Sequence, residues 1–313
     1  MTHTYIGYEN AFDLMSWHDA VDALRRGHLL PRAKIADVFL GPSDATLLNR
    51  SAYIEGFGFG VKAVTVVRDN AVRDLPTTQG AMMLYDPDTG SLRAIIDSRL
   101  VTKVKTVSDS LLGAQLLAPP ASRRLLIVGA GEIAEALVRG YASAFPALEQ
   151  IAIWARRPEQ AQALVEGLDD MDANVIVADD LSGFAAAADI VSSATMARDP
   201  VLRGDWISPG THIDLIGAFK ADMREADDVL MRKGTLFVDS RDTTVHHIGE
   251  LTIPIAAGII TEADVRADLY DLIEVARPAR TSADEITIFK NGGGAHLDLM
   301  IADYIVRAIG GQS

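Results

Sequence analysis

The stretch "LLIVGAGEIAEALV", Leu125 to Val138, constrains the fold more than any other part of the chain. A short apolar run of strand character enters Gly129-Ala130-Gly131-Glu132-Ile133-Ala134, and a helical pattern follows. In such a unit the first glycine permits a tight turn. The second lets backbone N–H groups approach a pyrophosphate at a helix N-terminus. With the first helix expected at 131–145, the chain then alternates: "IAIWA", a helix at 158–168, "NVIVAD", a helix at 181–188, "DIVSSAT", "THIDLIG" and "TLFVDS". Apolar runs separated by helical patterns indicate parallel strands joined by crossovers.

The expected fold class is therefore α/β, with a Rossmann dinucleotide-binding domain over 121–290. The N-terminal part reads differently. Residues 12–27 have helical spacing and a glycine stop, and "IADVFL", "ATLLNRSAY", "GFGVKAVTVV" and "GAMMLYDPDTGSLRAIID" are strand-like. The "DPDTG" turn suggests a hairpin, and a helix is expected at 102–117. This predicts an α+β domain over 1–120 with mainly antiparallel strands, rejoined by 291–313. There "ITIFKNGGGAHLDLMIADYIVRAI" reads as a strand, a glycine turn and an amphipathic helix. The antiparallel segments are apolar on more than one face and too few to close a sheet alone, so a homodimer is expected.

Composition narrows the function classes. The chain has no cysteine, which excludes disulfides, thiolate metal sites and cysteine nucleophiles. A net charge of −14 argues against a general nucleic-acid binder. No uncharged apolar run approaches the length of a membrane span, and the N-terminus lacks a basic start followed by an apolar core, so a cytoplasmic location is expected. His246 and His247 are adjacent, diverge on any regular element and lack a third ligand, so no metal is expected.

The end of the second parallel strand bears on the cofactor. A carboxylate there would bind the adenosine ribose hydroxyls and repel a 2′-phosphate. Here the place is held by Ala155, Arg156 and Arg157. A guanidinium can bind a phosphate in two-pronged fashion and stack on adenine. NADPH is the expected cofactor, with NADH the second candidate.

Taken together, several segments resemble the ornithine cyclodeaminase/mu-crystallin family over nearly the full length. They are "GFGVKAVTVV", "LPTTQGAMMLYDPDTGSLRAIIDSRLVTKVKT", "RLLIVGAGEIAEAL", "SSATMARDPVLRGDWISPGTHIDLIGAFKADMREAD", "FVDSRD" and "EITIFKNGGGAHLDL". The resemblance implies an NAD(P)-dependent protein whose second domain serves both substrate binding and dimerisation. It implies that Lys62 lies beside the substrate carboxylate and reacting nitrogen, with Arg32 (or Lys34 in another register) and Thr78 in the same pocket. It also implies cofactor contacts from Thr106, Gly129, Ala130, Gly131, Glu132, Ile133, Arg156, Arg157, Ala194, Thr195, Ile216 and Asn291.

Three departures qualify what is carried over. Lys105 stands where the family has an arginine that clasps the α-carboxylate, which keeps the charge but loses the fork. Phe219 takes the place of the aspartate that handles the substrate amine in cyclodeaminases. Nearby, Asp214 falls inside a strand, and Asp222 is expected to cap the next helix. Finally, Gly292-Gly293-Gly294 precedes His296, which is either a pocket residue able to donate a proton or a histidine on the first turn of the last helix.

The combined reading is an NADPH-dependent reduction of a C=N bond in a small imino acid, such as Δ1-pyrroline-2-carboxylate or Δ1-piperideine-2-carboxylate. Lys62 and Lys105 are the expected catalytic residues, and Arg32, Lys62, Thr78, Lys105 and His296 the expected substrate contacts. An amino-acid dehydrogenase, a cyclodeaminase and a non-catalytic NADPH-dependent ligand binder remain the alternatives.

Overall fold

A computed structural model describes residues 4–42, 44–275 and 279–311. The chain divides into two compact units, Met1–Ser108 with Gly294–Ser313, and Asp109–Gly293. The first division falls inside a long helix rather than near 120.

The first unit opens with β1 (Thr4–Ile6), α1 (Tyr8–Ala11), a 3-10 turn (Phe12–Leu14) and α2 (Trp17–Gly27). The helix expected at 12–27 thus begins only at Trp17. Ser16 is extended, and its hydroxyl accepts the Asp19 N–H at 3.3 Å, a side-chain cap that starts the helix there. Then come β2 (Lys34–Leu40), β3 (Ala45–Ile54), β4 (Gly58–Val67), β5 (Thr78–Tyr85), β6 (Leu92–Asp97) and α3 (Ser98–Leu117). Among the described residues these strands form a sheet in the order β1-β6-β5-β4-β3-β2. It is antiparallel except where β1, not anticipated from sequence, pairs parallel with β6. The β5–β6 hairpin turns as "DPDTG" suggested. Asp86 accepts from the backbone of Asp88 and Thr89 at 3.2 and 2.9 Å, and Gly90 supplies φ +68°.

One face of this sheet is covered from within the unit. Along β4, Gly58, Gly60, Lys62 and Val64 are buried while the residues between them are partly or fully exposed, the period-two pattern of a half-buried strand. The final helix packs on that face; a Cβ on Gly60 would meet Met82 and Leu299 side chains. Likewise Gly27 of α2 sits where any side chain would collide with Met300. The edge strand β2 is different: Val38, Phe39 and Leu40 are all exposed.

The second unit runs through β7 (Arg124–Val128), α4 (Ala134–Ala144), β8 (Gln150–Trp154), α5 (Pro158–Glu166), β9 (Asn174–Val177), α6 (Leu181–Ala187), β10 (Ile190–Ser193) and β11 (His212–Leu215). It continues with α7 (Asp228–Lys233), β12 (Thr235–Val238), α8 (Arg241–Thr244), α9 (Gly249–Ala256), β13 (Val265–Asp268), α10 (Leu269–Glu274) and β14 (Thr287–Lys290). The last helix, α11 (Ala295–Gly310), returns to the first unit. The strands of the second unit pair in parallel, in the order β13-β12-β14-β11-β10-β7-β8-β9. Their near-continuous apolar runs bury both faces, with Val128, Val191, Leu215, Leu236 and Ile288 in one core.

Chain order reverses between β7 and β10, so a crevice opens beyond their carboxyl ends. α7 is capped by Asp227, which accepts the Leu230 N–H at 2.8 Å, and not by Asp222. Asp222 is instead exposed and ion-paired with Arg198 at 2.8 Å, because the chain makes a further turn before the helix can start. Among the described residues, no helix is long and apolar enough to cross a membrane.

Candidate active site

The crevice of the second unit is built from strand exits. Gly129 follows β7 with φ +118°, and a Cβ there would lie 2.8 Å from the Ala194 carbonyl oxygen. Only glycine can make this turn so close to the end of β10. Gly131 is the opposite case: a Cβ would meet nothing within 4 Å, so its backbone faces open space. Ala130, Glu132 and Ile133 complete the loop, and no side chain caps the N-terminus of α4. Uncapped helix N–H groups beside an open glycine backbone suit a pyrophosphate.

Ala194, Thr195 and Ile216 line up at the exits of β10 and β11, held from below by Glu225. Its buried carboxylate accepts from Ser193 Oγ at 2.6 Å, Thr195 N at 2.7 Å and Gly217 N at 2.6 Å. Asn291, just past β14, is buried and donates to Ser110 Oγ at 2.9 Å. Asp214 accepts hydroxyls from Ser192, Tyr141 and Ser110 at 2.7 to 3.0 Å, and burial pushes its carboxyl up to about 6. It is a satisfied core group. The glycine turn before α11 also has an internal partner: Gly292 N donates to Asp239 Oδ2 at 3.0 Å, and Gly293 N does so at 2.5 Å. After β8, Arg156 and Arg157 are both exposed, and Arg157 Nε donates to Gln160 at 3.1 Å.

The first unit holds a separate charged cluster. Lys62 points to the covered face of the sheet, and its Nζ lies 2.7 Å from Asp298 Oδ1 on α11 and 3.4 Å from Thr102 Oγ1 on α3. The pair is out of solvent, with side-chain exposures of 6% and 1%. Arg50 sits directly across from Lys62 in the β3–β4 register, and Lys105 on α3 is also buried. Burial drives the Lys62 ammonium down to about 8; Asp298 opposes this, while the charges of Lys105 and Arg50 reinforce it. Among the described residues no carboxylate lies within ion-pair distance of Lys105. Arg50 is tied to Asp37 through two hydrogen bonds of 2.9 and 2.7 Å.

His296 lies on the first turn of α11, buried, with its ring edge-on to His28 at 5.7 Å. Burial holds this imidazole well below its ordinary value, and the neighbouring His28 adds to the effect, so it is a neutral ring rather than an acid at neutral pH. Arg32 and Thr78 are exposed, at the approach to β2 and the start of β5, and Thr106 is half-buried on α3. Sequence reasoning passed over Arg50, His28 and Asp298. Asp298 could have been found by asking what neutralises a buried lysine; nothing local marks Arg50. Among the described residues no group of three or more His, Asp or Glu is arranged to hold a metal; His246 only approaches Glu262, at 3.6 Å.

The ornithine cyclodeaminase/mu-crystallin family model matches residues 38–312. The chain belongs to this family. Over 307 residues it is 60% identical to a Delta(1)-pyrroline-2-carboxylate reductase of Paracoccus denitrificans (strain Pd 1222), spanning 98% of this chain and 97% of that one. Among solved structures, the Delta(1)-pyrroline-2-carboxylate reductase of Thermococcus litoralis in complex with NADH and L-proline is similar with a TM-score of 0.92. It is 25% identical and the match covers 99% of this chain and 98% of the other. An archaeal alanine dehydrogenase dimer with bound NAD follows with a TM-score of 0.90 and 25% identity, covering 100% and 97%. The fold of this family member is therefore a Rossmann-type dinucleotide domain joined to an α+β unit.

Proposed function

We propose that this chain is an NAD(P)H-dependent oxidoreductase that reduces the C=N bond of a small cyclic imino acid, with Δ1-pyrroline-2-carboxylate as substrate and L-proline as product. The observation that carries this reading is Lys62: a buried ammonium brought down to about 8, in cationic company on the enclosed face of a sheet. A group titrating there is protonated at neutral pH yet releases its proton readily. The 60% identity to the Paracoccus enzyme supports the same substrate.

Lys105, with no carboxylate in ion-pair distance among the described residues, is the cation offered to the substrate carboxylate. Lys62 donates a proton to the imine nitrogen, and burial keeps bulk water from competing for it. The reduced nicotinamide, when bound, supplies the hydride. Gly129 to Ile133, Ala194, Thr195 and Ile216 are the residues that would hold the dinucleotide. Arg156 and Arg157 favour a 2′-phosphate, so NADPH is the preferred donor, whereas the Thermococcus and archaeal relatives were solved with NADH and NAD. Phe219, exposed where a cyclodeaminase needs a carboxylate, speaks against deamination.

The same reading makes the protein a homodimer through the exposed apolar edge of β2, in line with the dimeric alanine dehydrogenase. It also makes it cytoplasmic, where a cysteine-free chain fits a reducing compartment.

The test is NADPH oxidation by the purified protein with preformed cyclic imines, run beside ammonia release from ornithine. Oxidation with the five-membered imino acid and no ammonia is expected; rapid deamination of ornithine would replace this reading. In the same assay Arg156→Asp with Arg157→Ser should shrink the NADPH-over-NADH preference by about tenfold, the worth of one charge-assisted phosphate contact. An unchanged ratio would return both arginines to solvent.

A further inference from the structure

Among the described residues Asp298 is the one carboxylate that Lys62 touches, Asp37 being engaged by Arg50, and it is only half used. Oδ1 accepts the Lys62 ammonium at 2.7 Å, whereas Oδ2 is buried with no hydrogen-bond partner. A buried carboxylate oxygen left unpaired is costly, so it persists where a ligand supplies the missing donor. The surrounding charges keep the group ionised. Burial alone would raise it, but Lys62, Lys105 and Arg50 together hold its carboxyl below the usual range. The groups facing it are Lys62 on β4, Arg50 on β3, Lys105 on α3 and the neutral His296 on its own helix, with His28 behind that ring. None of the other residues offers a negative charge to a substrate nitrogen.

An imine must gain a proton to accept hydride well, and the positive charge then moves from the donor to the substrate. In a buried site that transfer is costly unless the counterion serves both positions. We propose that Asp298 is a second catalytic residue, whose Oδ1 holds the Lys62 ammonium while its Oδ2 receives the N–H formed when that ammonium protonates the substrate imine. This rests on the imine-reductase reading above.

The step balances. One Nζ–H bond of Lys62 breaks and one N–H bond forms on the ring nitrogen, leaving a neutral amine on Lys62 and an iminium on the substrate. The reduced nicotinamide, when bound, would supply the hydride and the two electrons for the new C–H bond, and the C=N π pair returns to nitrogen. Lys62 takes a proton from water, the product amine takes another, and the resulting ammonium faces the same carboxylate. Asp298 thus faces one positive charge, on Lys62 and then on the iminium, up to hydride transfer, and the recharged Lys62 and the product ammonium afterwards.

The decisive variant is Asp298→Asn, which keeps the shape and removes the charge. We expect kcat to fall by about 10²-fold, the lower range for a lost acid–base group. The alkaline limb of the pH–rate profile, set by Lys62 near 8, should also move to lower pH, because the carboxylate that favours the charged lysine is gone. A second measurement needs only the wild-type protein. In the presence of oxidised cofactor, L-proline should bind about tenfold or more tightly than tetrahydrofuran-2-carboxylate, which replaces the ring NH₂⁺ by oxygen.

A variant with kcat within threefold of the parent and an unshifted limb overturns the proposal. So does equal binding of the two ring acids by the wild type, which decides the matter if the variant does not fold. If the wild type oxidises NADPH with no cyclic imine, the proposed function itself fails; that result is separate from either of these.

Discussion

Two buried lysines, one in each unit, differ in what surrounds the ammonium. Lys290 at the end of β14 is 1% exposed and donates to the carbonyls of Leu215 and Asn291 at 2.8 and 2.9 Å. Burial lowers it, but Glu225, Glu250, Asp239 and Asp214 all act to keep its charge. Lys62 is buried to a similar degree, yet it has one carboxylate and two neighbouring cations. The first lysine has its hydrogens spoken for by backbone and is surrounded by compensation, so it is mortar. The second is balanced by one partner and pressed by like charges, so its proton can leave. Burial is common to both; the company differs.

Removing each lysine should separate the two roles. Lys62→Ala should lower kcat for imine reduction by about 10³-fold, within the range for a lost general acid, while NADPH affinity stays within about twofold because the glycine turn belongs to the other unit. A variant as active as its parent on every imine would erase the distinction. Lys290→Met should instead show in stability, at about 3–5 kcal/mol, since it strands buried carboxylates without their cation. Chemical denaturation reads this, and a loss under 1 kcal/mol would mean that the carboxylates take up protons and manage alone. The smallest change is expected for Lys105→Arg. It preserves the charge and adds a fork, so activity should be kept and the substrate KM should fall by only ~3-fold. A large loss would show that the lysine's compact head, not its charge, matters there.

Much of this was legible in the sequence because it is local. The glycine turn, the alternation of strands and helices, and the "DPDTG" hairpin each depend on neighbours a few residues apart. Even the direction of Lys62 could be argued, since every second residue of β4 shares its face. What escaped was long-range. Asp298 reaches Lys62 across 236 residues of chain, and no spacing rule links them. Arg50 joins the cluster through the β3–β4 register, whose alignment depends on the turn between them. Arg32 and Thr78, carried over by resemblance, lie exposed, Arg32 in the connection before β2 and Thr78 at the first position of β5. β1 was too short, and the boundary of α2 too dependent on one serine hydroxyl, for periodicity to register either.

The final helix gives the order of synthesis a meaning. A chain leaving the ribosome presents β2 to β6 early, with the face that bears Gly60, Lys62 and Met82 still bare. Next comes the whole of Asp109–Gly293, a continuous segment, and compact units of this kind generally fold as units. Only when Ala295–Gly310 emerges does the first unit acquire its cover and Lys62 its counterion. The unit that begins the protein is the last to be finished. A product released a helix too soon keeps its parallel sheet but shows an apolar face with an unpaired lysine in it. Exposed apolar surface of that kind is what cellular quality control acts on.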